Sequence, residues 1–211
     1  MSIQNQLAHA LGRNDQEPNR EVAQKIADSD SSEEVKELVD FIQSKPKKRA
    51  QMDAMLALAY VGERNPKLLA PHVDFLVSRL DDPINRVVFG SMITMANIAH
   101  LIQLELFDQL PKIIDAMDSG TVVTRDYGFK IMVTLYQDKG IQEDMFLLMQ
   151  EQLMKAPSNQ LGQYAERLME VLNKNHLKPL IDTLEERRND VSNEHHIKRL
   201  NKNLKKLYKQ L

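Results

Sequence analysis

The sequence predicts an all-α chain assembled from repeated helix pairs, and three observations predict it. One short phrase recurs. Pro46-Lys47-Lys48-Arg49, Pro83-Ile84-Asn85-Arg86 and the degenerate Gly120-Thr121-Val122-Val123-Thr124-Arg125-Asp126 each open a long apolar segment, with the arginines 37 and 39 residues apart. A period of that size, with a shorter amphipathic segment before each apolar one, is the signature of a stacked helical solenoid. Composition is the second observation: 42% of the 211 residues are hydrophobic, with 11 Met and no Trp. Cores of Leu, Ile, Val, Ala and Met suit helix-on-helix packing better than sheets. The third is that no long alternating Val/Ile/Thr run appears, which predicts essentially no strand.

The elements follow in order. Ile3, Leu7 and Leu11 recur every four residues and predict a short helix closed by Gly12. Pro18 opens a second helix carrying Val22, Ala23, Ile26 and Ala27. Ser31 and Glu34 have capping-box spacing and start a third, with Val35, Leu38, Val39 and Ile42 on one face. Pro46 sits in the first turn of a helix reaching to about residue 64, which Asn65-Pro66 breaks. A helix over 68–80 comes next, then the turn Asp81-Asp82-Pro83 and the most apolar helix, 84–103. Residues 104–117, which include Pro111, pair with 121–139 across Asp118-Ser119-Gly120. Residues 141–155 pair with 160–174, and 176–189 with 193–210. The whole reads as one domain, 1–211, of six antiparallel pairs: 1–30, 32–64, 67–103, 104–139, 141–174 and 176–211. Short connections make sequential helices antiparallel neighbours. The second helix of each pair is nearly apolar all round, as an element sandwiched between neighbours must be.

Asp81-Asp82-Pro83, the Arg86 that follows, and Val87, Val88, Met92, Ile93 and Ala96 resemble the HEAT-repeat family, as do Pro71 and Pro111 within first helices. The likeness is good over 36–139 and fainter at both ends. It implies a right-handed α-α superhelix and a scaffolding role. It also implies that the ladder Arg49, Arg86, Arg125 serves structure, each arginine hydrogen-bonding turn carboxylates or carbonyls of an adjacent repeat. Family members range from transport receptors and phosphatase scaffolds to chromophore-lyase subunits and bacterial DNA glycosylases, and fold alone does not choose among them.

Projecting the second helices in register marks a ligand-facing stripe of small, aromatic and polar groups. Asp53 and Tyr60 stand beside Thr94 and Asn97; Phe129 and Tyr136 come next, then Arg167. Tyr60 and Tyr136 suit anchoring, since tyrosine combines contact area with one polar handle. Packing between helices explains the same residues equally well. In a HEAT-like alkylpurine DNA glycosylase an acid, an arginine and aromatic residues share a basic concave face. Asp53 with Arg49 or Arg86 imitates the first two, but the scarce aromatics and acidic body disfavour DNA.

The last helix carries an apolar stripe (Ile197, Leu200, Leu204, Leu207, Leu211) beside a basic one, Lys198, Lys202, Lys205 and Lys209. It fits a solenoid cap with a solvated outer face, or an arm that attaches to an acidic partner. Residues 193–211 hold six basic residues against Glu194, a charge of +5, so the remaining 192 residues carry −7 within the overall −2. That is not the uniform basic footprint of a nucleic-acid binder.

Cysteine is absent, which removes disulfides, thiolate catalysis and thiolate zinc sites. The six histidines are scattered without metal-ligand spacing, and no phosphate-cradling glycine loop occurs. No metal, cofactor or catalytic residue is therefore expected. Residues 1–12 lack a signal peptide's basic start and apolar core, and the stretch 87–102 is too interrupted to span a bilayer. The expectation is a cytoplasmic, non-catalytic scaffold that binds a protein partner on the face of its second helices. A glycosylase-type nucleic-acid binder and an accessory subunit of a modifying enzyme, such as a chromophore lyase, are the alternatives.

Overall fold

The computed structural model describes residues 2–211, and all regular structure among them is helical, with no strand. Twelve α-helices follow one another: α1 (Glu17–Ser29), α2 (Ser32–Gln43), α3 (Lys48–Arg64), α4 (Val73–Ser78), α5 (Asn85–Ile98), α6 (Gln103–Asp108), α7 (Leu110–Ser119), α8 (Val122–Leu135), α9 (Gln142–Lys155), α10 (Ser158–Met169), α11 (Leu177–Arg188) and α12 (Glu194–Tyr208). The chain divides into two compact units, Met1–Gly128 and Phe129–Leu211, and the division falls inside α8.

In the first unit α1 packs on α3 and α3 on α5, while α2 lies against α3 and α4 against α5. α3 is buried almost all round, through Ala50, Ala54, Met55, Ala57, Leu58, Ala59 and Val61. α2, by contrast, buries only the face of Val35, Leu38, Val39 and Ile42, starting from the Ser31 hydroxyl that accepts the Glu34 N–H at 3.2 Å. In the second unit α10 packs on α12, α9 on α11, and α11 on α12.

Several expected helices are shorter or broken. Residues 3–11 form a 3-10 turn, Ile3–Gln6, and further turns instead of an α-helix. Their amides go elsewhere: Ile3 N–H to Glu37 (2.9 Å), Ala8 N–H to Asn19 (2.9 Å) and His9 N–H to Asp53 (2.9 Å). Tertiary acceptors have replaced the i→i−4 ladder there. The segment 68–80 is two 3-10 turns, Pro66–Leu68 and Ala70–His72, before α4, because Pro71 has no N–H to give and biases the residue before it away from helix. Pro111 likewise splits 104–117 and stands in the first turn of α7, where proline is tolerated. α5 ends at Ile98 and runs on as a 3-10 turn, Ala99–Leu101.

Candidate functional site

A cavity of about 260 Å³ opens in the first unit between two second helices. α3 supplies Met52, Asp53 and Leu56; α5 supplies Arg86, Phe89 and Gly90; Gln16, just before α1, closes one side. Met52 and Asp53 stand four and three residues before Leu56, and Phe89 and Gly90 three and four after Arg86, which puts each set on one side of its helix. α5 starts where it does because the Asp82 carboxylate accepts the Ile84 N–H (2.9 Å), turning the chain into the helix. Gly90 lets α5 approach α3 closely: a Cβ there would lie 2.6 Å from the Cγ of Met55.

Asp53 is 4% exposed and held from two directions. Its Oδ2 accepts the His9 N–H and its Oδ1 accepts the Asn19 side-chain amide at 3.1 Å. The Asn19 amide also reaches Gln16 Oε1 at 2.6 Å. One carboxylate thus ties the N-terminal turns to α1 and α3. His9 Nδ1 stands 3.6 Å from Asp53 Oδ2, an ion-pair separation too long for a hydrogen bond, and that buried nitrogen has no hydrogen-bond partner. Burial lowers the His9 pKa below its ordinary value, against the pull of Asp53 and with the push of Arg49. The imidazole stacks over Phe41, ring centroids 6.0 Å apart.

The three arginines of the recurring phrase, Arg49, Arg86 and Arg125, part company. Arg49 donates to the Arg13 carbonyl, and Arg125 to the Met117 carbonyl at 3.0 Å. Arg86 is exposed and lines the cavity, with no side-chain hydrogen bond or ion pair among the described residues.

The remaining stripe residues of this unit are mostly absorbed by packing. Thr94 is fully buried, its hydroxyl donating to the Gly90 carbonyl at 2.8 Å. Asn97 is half-buried and donates to the Ala59 carbonyl at 3.3 Å, and Tyr60 is half-buried under the Arg20 guanidinium, 4.9 Å above its ring. The structure therefore corrects the stripe. Asp53 and Thr94 hold helices together, and Asp53 also lines the cavity with Arg86.

In the second unit Phe129 and Tyr136 are fully buried and offer a partner no surface. Phe129 stacks on Tyr164, centroids 4.4 Å apart. The Tyr136 hydroxyl accepts the Asn173 N–H at 2.8 Å and shares a second hydrogen bond with His176 Nδ1, also 2.8 Å away. On its other side His176 Nε2 stands 3.0 Å from the Glu143 carboxylate, a hydrogen-bond distance. Phe146 covers the imidazole, the rings 3.9 Å apart. Burial raises the Tyr136 pKa. This Tyr-His-Glu chain of contacts joins the turn after α8, α9 and the turn before α11, and periodicity did not mark His176, Glu143 or Phe146. The signal that could have found it is the separation of 40 residues between Tyr136 and His176, close to one repeat. Arg167 is half-buried on α10.

Lys198, Lys202, Lys205 and Lys209 are all exposed, as expected, and Lys198 stands 3.9 Å from Glu194. The opposite face of α12 is docked. Leu200, Leu204 and Leu207 are buried, Asn203 donates to the Gly162 carbonyl at 2.9 Å, and the Arg199 guanidinium grips both oxygens of Glu166. Among the described residues no helix is long and apolar enough to cross a membrane, and no three His, Asp or Glu side chains converge as a metal site would need.

No protein-family model matches the sequence, and no curated protein matches it. The fold does have a counterpart. An engineered protein, solved crystallographically by a structural genomics consortium, superposes with a TM-score of 0.61 over 99% of this chain and 99% of its own, at 17% identity. A likeness at that identity is one of fold, and it accords with the all-helical architecture.

Proposed function

We propose that the chain is a HEAT-like repeat protein, each unit a stretch of right-handed helical solenoid, which binds a protein partner on the face of its second helices and does no chemistry of its own. The observation that carries this reading is the layering within the units. Second helices pack on second helices (α1 on α3, α3 on α5, α10 on α12), and α9 packs on α11 as first helix on first helix. Such layering presents a continuous ordered surface, which is the working part of a solenoid. The cavity between α3 and α5 lies on that layer.

The rival, a glycosylase-type nucleic-acid binder, draws on one observation, that Asp53 and Arg86 line the same cavity. Against it, both Asp53 oxygens already accept protein N–H donors, which directs the carboxylate to structure. Capture from nuclease-treated native lysate tests the choice. The scaffold reading expects a protein retained after nuclease treatment and no release of bases from methylated duplex DNA. Retention that disappears with nuclease, or base release that is abolished by Asp53→Asn, overturns it.

A further inference from the structure

The cavity between α3 and α5 differs from its surroundings in two independent ways. Arg49 and Arg125, which share the recurring phrase with Arg86, each bind a backbone carbonyl, whereas Arg86 is left exposed without a protein acceptor among the described residues. Three apolar side chains, Met52, Leu56 and Phe89, line the adjoining space of about 260 Å³. That is below the roughly 300–1,000 Å³ of sites that enclose a drug-sized molecule. It is instead the scale of one large side chain, and truncation studies find such pockets carrying much of an interface's binding energy.

We propose that this pocket seats an aromatic side chain of the protein partner, and that a carboxylate next to that side chain pairs with Arg86. The assignment rests on the protein-binding reading above and names the partner's chemistry. Methionine and phenylalanine walls favour an aromatic anchor through sulfur–ring and ring–ring contacts. A guanidinium in the first turn of α5 is placed to donate two parallel, charge-assisted hydrogen bonds to a planar carboxylate. A long polyanion is a poorer match, because residues 1–128 hold 14 basic against 19 acidic residues, a charge of −5, which repels a phosphate backbone. One carboxylate needs only one guanidinium.

The probe is the tripeptide N-acetyl-Glu-Phe-Glu amide, titrated into the full chain. The readout is the Met52 methyl resonance, identified by its loss in Met52→Leu. The expected result is a saturable Met52 shift, abolished when the peptide's Phe is replaced by Ala and absent with N-acetyl-Lys-Phe-Lys amide. Arg86→Gln should weaken binding about tenfold, the loss of about 1.4 kcal/mol. Since Arg86 is exposed, its variant should keep the wild-type melting curve. An unmoved Met52 signal overturns the proposal, as does equal affinity in Arg86→Gln. A single-stranded oligonucleotide that displaces the peptide and shifts Met52 more strongly also overturns it, in favour of nucleic acid. If the protein captured from lysate still binds Arg86→Gln at full affinity, the pocket assignment falls while the protein-binding reading stands.

Discussion

Lys45 shows how one residue can be in the wrong conformation for its type. It follows the C-terminus of α2 with φ at +53°, in the left-handed region where an L side chain is strained, and its N–H bonds the Ile42 carbonyl as a helix-ending residue does. Glycine takes that conformation freely, so Lys45→Gly should raise stability by up to about 1 kcal/mol in urea unfolding. Loss of stability would mean the lysine side chain contributes something its backbone does not reveal. His9 makes a pH prediction. Its folded-state pKa is depressed below 6.5, so the folded protein favours the neutral ring, and stability falls as pH drops below that value and the unfolded chain takes up the proton. The half-buried His72 is shifted the same way by burial. Glu166, depressed by its bond to Arg199, adds a further loss at lower pH, below the usual 4.5. His9→Gln should flatten the decline in melting temperature between about pH 7 and pH 5. An unchanged slope would assign the decline to other groups.

At the scale of elements, the C-terminus of α9 is the clearest case of a helix end satisfied from elsewhere. Arg187, 9% exposed on α11, donates to the carbonyls of Leu153 (3.0 Å), Met154 (2.9 Å) and Ala156 (3.1 and 3.3 Å). The Leu153 carbonyl also takes the Ala156 N–H at 3.4 Å, the last turn of a helix lacks its full set of i+4 donors, and a cation there also suits the helix dipole. Arg187→Met should therefore destabilise the protein by about 2–4 kcal/mol, with Arg187→Lys recovering only part, because one ammonium cannot span three acceptors. Full rescue by lysine would show that charge alone matters. The junction of α7 and α8 gives a second test. A Cβ at Gly120 would run into the Ala116 carbonyl oxygen and come within 2.9 Å of Thr124. Backbone cannot yield as a side chain does, so Gly120→Ala should cost about 1–3 kcal/mol in chemical denaturation.

For the molecule as a whole the open question was whether the last helix is a cap or an arm. α12 buries Leu200, Leu204 and Leu207, each contributing about 1.5–3 kcal/mol, and adds the Asn203 and Arg199 bonds to α10. Those contacts make α12 a structural part of its unit. Deleting residues 193–211 should lower the melting temperature markedly, whereas replacing Lys198, Lys202, Lys205 and Lys209 together with Ala should leave it nearly unchanged. The reverse pattern would make the basic stripe the structural element. Any binding lost in the four-lysine variant at constant stability would give the exposed face a second role.

What periodicity and composition determined was the class and the order of elements. The apolar spacing of α2, α3, α5 and α12 was legible because a helix face repeats every three or four residues along the chain. Which groups meet across helices was not legible, because those meetings join residues 30 to 45 apart and depend on side-chain reach. Asp53 held by the N–H of His9, Arg187 on the end of α9, and Tyr136 relayed through His176 to Glu143 are all of this kind. Arg49, Arg86 and Arg125 look alike in sequence, yet only two find a carbonyl. Tertiary packing decided which arginine stays exposed without a carbonyl, since a side chain's free valence depends on its neighbours in space and not in sequence.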